Sequence, residues 1–195
     1  MNCALILFLL FLSGCAVAPV KEIHPSGLNI TEIKPNHDSH IMKQNVLHLA
    51  QVFDLSPFLY TKNIHIKTDA IPQSHPVLTL NNRYTNYPHK ILSVLLHEEF
   101  HWWAIIRKQQ LALAVKELKT LFPHQHASVY THFLICHLEY EAVKFYVGEK
   151  VATSIIKDFI QKDKIRPWIY SQILVKNQMF SKLFLRYKLI PKRLL

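Results

Sequence analysis

The sequence predicts an α+β domain that is mostly helical, with a small β-hairpin or sheet preceding one long central helix. Three observations carry this. Only three glycines occur in 195 residues, and half of the residues are hydrophobic. That suits closely connected helices around a core and excludes Gly-rich phosphate loops. Apolar residues recur at helical spacing over most of the chain. Period-two alternation is confined to Ile64-His65-Ile66-Lys67-Thr68 and Val77-Leu78-Thr79-Leu80, each short enough for one strand.

Taken in order, the chain opens on an apolar run, Ala4 to Leu12, too short to span a bilayer as a helix. It ends in Leu12-Ser13-Gly14-Cys15, which resembles a bacterial lipobox. The resemblance implies a lipoprotein signal peptide over 1–14 and lipid on Cys15. Ala16 in place of Asp implies the outer membrane, with the protein facing the periplasm. An ordinary secretory signal is the alternative. With Cys3 removed and Cys15 lipidated, Cys136 is left alone and no intramolecular disulfide can form. Residues 15–40, with Pro19, Pro25, Gly27 and Pro35, read as a tether. Residues 41–195 read as a single domain.

Within that domain, apolar spacing from Ile41 to Phe53 predicts an amphipathic helix that stops before Pro57. The two strands follow, separated by Pro72 and Pro76. A helix starts near Pro88, which suits a first turn. Leu111 to Phe122 gives another, ended by Pro123. Residues 127–147 form a strong candidate capped by Gly148, and 149–195 read as two helices divided near Pro167.

The net charge is +10. The Lys and Arg residues are spread and no nucleic-acid motif occurs, so nucleic acid is not an expected partner. Anionic lipid head groups or acidic cell-wall polymers suit the inferred location better, beside the plainer reading of a basic soluble surface.

The central helix contains His97-Glu98-Glu99-Phe100-His101. Residues four apart share a helix face, so the two imidazoles can address one metal ion. Composition alone gives roughly 0.03 chance occurrences of H-E-x-x-H in such a chain. His97 and His101 share their face with Ser93, Ala104 and Lys90. The opposite face carries Leu92, Leu95, Trp103, Ile106 and Glu99. Glu98 lies beside the metal face as a candidate general base. Glu99, among apolar groups, is expected to be structural and to need a hydrogen-bond or cationic partner.

Zinc requires a third protein ligand. On the 127–147 helix, Tyr130, His137, Glu141 and Lys144 fall on one side, read as a solvated face, while Glu139 and His132 centre the apolar side. Glu139 is therefore the expected third ligand. His132 is expected to be a donor that hydrogen-bonds a metal ligand, a transition-state hydrogen-bond donor or an alternative ligand. A buried His132–Glu139 pair without metal stays open, and Cys136 borders the same face. Tyr170 could reach the site, although a core role suits it better.

H-E-x-x-H on one helix with a Glu from a later one resembles the gluzincin branch of zinc metallopeptidases, over residues 76–148. The resemblance implies a zincin-like fold, Zn²⁺ as cofactor and a peptide or protein substrate. It also implies an edge strand, Val77 to Leu80, that pairs with substrate backbone. The competing class is a non-catalytic envelope lipoprotein with a structural metal or none, acting as scaffold or binding protein. A peptidoglycan amidase or peptidase shares the chemistry and differs only in substrate.

Overall fold

The computed structural model describes residues 27–162 and 166–195. The expected signal peptide, residues 1–14, and Cys15 lie outside the described residues. The fold is mixed helix and sheet, dominated by helix.

The sheet forms first along the chain. β1 (Asn29–Ile33) is followed by α1 (His37–Val52), whose start is set by a capping box. The Asn36 side chain accepts the Ser39 N–H at 2.8 Å, and the Ser39 hydroxyl accepts the Asn36 N–H at 2.9 Å. β2 (Asn63–Lys67) and β3 (Leu78–Leu80) complete a three-stranded sheet in the order β1-β2-β3. Ile64, Ile66, Leu78 and Leu80 are fully buried, so the alternation seen in the sequence is the inward face of the sheet.

Two expectations are corrected here. The tether does not reach residue 40, because β1 pairs with β2 and Leu28 is buried in the core. Asn29-Ile30-Thr31-Glu32-Ile33 has its two isoleucines three apart, so it shows no period-two alternation, and Pro25, Gly27 and Pro35 around it read as a linker. β2 and β3 also do not form a hairpin: both pairings in the sheet are parallel. The ten residues between β2 and β3 carry the chain back to the starting end of the sheet. Gln73 then exchanges two backbone hydrogen bonds with Thr79, at 3.0 and 2.7 Å.

The helices pack beside this sheet. α2 (Pro88–Ile106) starts with proline in its first turn, where a missing N–H costs nothing. α3 (Lys108–Leu121) follows after one residue. α4 (Ala127–Val147) ends at Gly148, whose φ of 83° is one that side-chain-bearing residues avoid. α5 (Glu149–Lys162) and α6 (Pro167–Arg186) close the bundle, and α6 bends at Lys176. The Trp103 indole donates to the Leu189 carbonyl at 2.7 Å and ties the C-terminal segment to α2. Among the described residues, no helix is long and apolar enough to cross a membrane.

α4 is the central helix, packed against α2, α3, α5 and α6. The side of it that the sequence offered to solvent is therefore covered. Tyr130 and His137 are buried, with His137 packed against the rings of Phe180 and Phe184 of α6. Glu141 is half-buried and paired with Lys144 at 2.7 Å, and it also accepts from Asn177. A helix surrounded by others has no solvated side, so the polar stripe there marks a polar seam.

His137 supplies a stability prediction. Burial lowers its pKa to about 4, opposed by Glu141 and assisted by Lys144. The unfolded chain binds this proton near the ordinary value of about 6.5, the folded chain only near 4. Stability from this group is thus fully present above pH 6.5 and is lost as pH falls toward 4, on the order of 3 kcal/mol in all. His137→Phe should flatten the loss between pH 7 and 4.5 in urea unfolding. An unchanged acid slope in the variant would remove His137 as a source of it.

Candidate metal centre

α2 and α4 run antiparallel, since Ser93 meets Glu139 while His101 meets His132. This brings three imidazoles together. Ring centroids lie 5.2 Å apart for His97 and His101, 5.8 Å for His97 and His132, and 5.1 Å for His101 and His132. One ligand atom from each lies within 4.8 Å of the others. The helical spacing of His97 and His101 supplies two of these; the packing of α4 onto α2 supplies the third.

Hydrogen bonds assign the tautomers of two of the rings. His132 Nδ1 lies 2.9 Å from the Ser128 carbonyl oxygen, which can only accept. Nδ1 therefore carries a proton, which in the neutral ring leaves the lone pair on Nε2. His97 Nδ1 lies 2.7 Å from Glu139 Oε2, while its Nε2 contacts Arg166 Nη1, which can only donate. His97 is thus also protonated on Nδ1 with a lone pair on Nε2. Both are the form that binds a cation through Nε2. Burial, with the neighbouring cation Arg166 and the other imidazoles, holds His97 and His101 well below the usual imidazole pKa, so both are neutral.

Glu139 is fully buried and its carboxylate is surrounded by donors. Oε1 accepts from the Ser93 hydroxyl at 2.5 Å. Oε2 accepts from His97 Nδ1 and from the Tyr170 hydroxyl at 2.9 Å. Tyr170 is buried and reaches the site through Glu139. His97, Cys136 and Glu139 form a second, wholly buried group of potential ligand atoms. The His97–Glu139 hydrogen bond already accounts for the closeness of two of them.

Glu98 is buried and lines a cleft of about 340 Å³ together with His97, Glu139, Arg166 and Tyr170. Desolvation raises its pKa to about 7, with Arg166 opposing the rise and Glu139 adding to it. A carboxyl group poised there exchanges protons near neutral pH. Glu99 points to the other side of α2, as its helical phase requires. Its Oε2 accepts the backbone N–H groups of Tyr60 and Thr61, at 2.7 and 3.1 Å, and desolvation raises its pKa to about 8. It anchors the segment before β2 to α2.

Two neighbours of the centre were not singled out from sequence. Arg166 immediately precedes the first turn of α6 and gave no pattern to read. His75 lies against the Trp102 ring, with centroids 4.1 Å apart, and bonds to the Ser74 hydroxyl at 2.7 Å. Trp102 in turn donates to the Ser74 carbonyl at 3.1 Å. A tryptophan immediately after the H-E-x-x-H motif was the available hint that a loop packs there. The strand edge expected to receive substrate is partly taken: Gln73 holds both backbone groups of Thr79.

The donor set could hold a metal ion. Three imidazoles converge, and two of them have Nδ1 bonded to an oxygen acceptor. No family model, curated protein or solved structure matches the chain.

Proposed function

We propose that the protein is a zinc-dependent metallopeptidase of zincin-like type, carried on an envelope lipoprotein, with a histidine in the place of the gluzincin glutamate ligand. The observation that carries this reading is the pair of fixed tautomers, His97 and His132, beside His101. In this reading His97, His101 and His132 hold the metal. Glu139 orients His97 rather than binding the ion, so the roles expected for Glu139 and His132 are exchanged. The physical basis is that the Glu139 oxygens already accept from Ser93, His97 and Tyr170.

When bound, zinc supplies Lewis acidity and lowers the pKa of a water. Glu98 takes the proton from the attacking water and delivers it to the leaving amine as the C–N bond breaks. Glu139 holds the His97 ring in place and supports its donation, as carboxylate partners of metal-binding histidines do. Ser93 and Tyr170 in turn hold Glu139. Substrate enters the cleft beside Glu98, since Gln73 closes the β3 edge at Thr79. Anchoring through lipid on Cys15, at the periplasmic face of the outer membrane, completes the reading.

The contact of Arg166 with His97 Nε2 favours a second reading. One lone pair cannot serve both a guanidinium and a cation, so a metal-free protein acting as an envelope scaffold or binding protein is the alternative. Metal analysis and a peptide-cleavage assay on the same purified sample separate the two. The peptidase reading expects close to one zinc per chain, and hydrolysis that a chelator removes and added zinc restores. Persistent absence of zinc after loading would leave the scaffold reading.

A further inference from the structure

The cleft beside Glu98 has a mixed wall. Val94, Phe159 and Ile71 give it apolar surface, and Arg83, Lys162 and Arg166 bring three cations to it. Glu98 and Glu139 also line it, and the Arg166 charge acts on Glu98. Glu139 is enclosed by Ser93, His97 and Tyr170, and Glu98 is the base of the proposed reaction. Lys162 is exposed and shares Asp158 with Lys90, at 2.5 and 2.7 Å, so it contributes at the rim. Arg83 is exposed, its guanidinium 5.3 Å from the centre of the Tyr84 ring. Arg166 reaches furthest in and touches His97 Nε2. A cation held by that lone pair would displace the Nη1 donor from it.

We propose that this cleft is a carboxylate subsite, in which Arg83 and Arg166 hold the carboxylate of a substrate group whose apolar part lies on Val94 and Phe159. The proposal rests on the peptidase reading and names its substrate class: peptides with a carboxylate next to the scissile bond, on an apolar residue. Arginine suits this because its planar fork of donors matches a carboxylate, and the apolar wall lowers the local dielectric. The carboxylate is either the free end of a peptide or an acidic side chain.

The test is direct binding of small probes to the full chain by calorimetry, metal-free and zinc-loaded. The probes are N-acetyl-phenylalanine, its C-terminal amide, and N-acetyl-glutamic acid α-amide. The free acid is expected to bind about tenfold more tightly than the phenylalanine amide, a typical return for one charge-assisted contact. A gain confined to the glutamic acid probe would assign the subsite to an acidic side chain. The advantage should shrink to about threefold or less in Arg83→Gln, return in Arg83→Lys, and weaken with added salt.

Equal binding of both acids and the neutral amide would overturn the proposal. So would an advantage seen only with zinc and unchanged in Arg83→Gln, because the metal would then be the carboxylate's partner. Because binding is read without turnover, the two readings fail separately. A carboxylate advantage in a protein that cleaves no peptide would retain the subsite and remove the peptidase.

Discussion

Replacing Glu98 by Gln is expected to lower hydrolysis by about 10²–10⁴-fold, the usual contribution of a positioned general base, while zinc stays near one per chain. Gln keeps the shape and the hydrogen-bonding capacity of the side chain but cannot accept and pass on a proton. Glu98 is buried at the cleft with its pKa raised to about 7, so the native group is matched to proton transfer near neutrality. The two measurements belong together. Loss of activity with loss of zinc would show damage to the centre rather than to the base. Full activity with zinc retained would end the role assigned to Glu98.

The second expectation ranks two residues of α4. His132→Ala should weaken zinc binding by roughly 100-fold or more, since in the proposed centre it removes one of three protein ligands. Glu139→Gln should weaken it by roughly 10–100-fold, the range for partners that orient a ligand. Gln is chosen because its carbonyl can still accept from His97 Nδ1 and keeps the site filled. Ala would leave the Ser93 and Tyr170 hydroxyls without their acceptor and confound affinity with folding. Competition with a chromophoric chelator gives both affinities. The opposite ranking would restore Glu139 as ligand and His132 as its neighbour.

The reason the two residues had to be ranked by structure is geometric. His132 and Glu139 are seven positions apart on one helix, about 10.5 Å along the axis at 1.5 Å per residue. Both face α2, but they cannot both stand opposite the same point on it. The His97 ring lies between them. Its Nδ1 meets Glu139, and its ring also packs near those of His101 and His132. Which residue faces which nitrogen depends on how far α4 slides along α2, and helical periodicity is blind to that.

The same distinction runs through the fold. Tyr130 and His137 look like a solvated stripe because nothing local reveals that α6 will cover it. The parallel sheet looks like a hairpin because adjacent strands in sequence are usually antiparallel when the link is short. β1 escapes notice because Pro and Gly around it read as a linker. Arg166 reaches His97 from 69 positions away, and no spacing rule connects them.

What the sequence by itself determined was local: the helix from Pro88, the helix over Ala127–Val147 with Gly148 at its end, and the alternation of β2. It placed His97 and His101 on one face and sent Glu99 to the other, where Tyr60 and Thr61 meet it. These follow from backbone periods that act over a few residues. Only the tertiary structure decided that His132 joins the two imidazoles, that Glu139 takes the other nitrogen of His97, and that a cleft with three cations opens beside Glu98. Each of those depends on the register and rotation of elements packed against one another, set by the whole core rather than by any one segment.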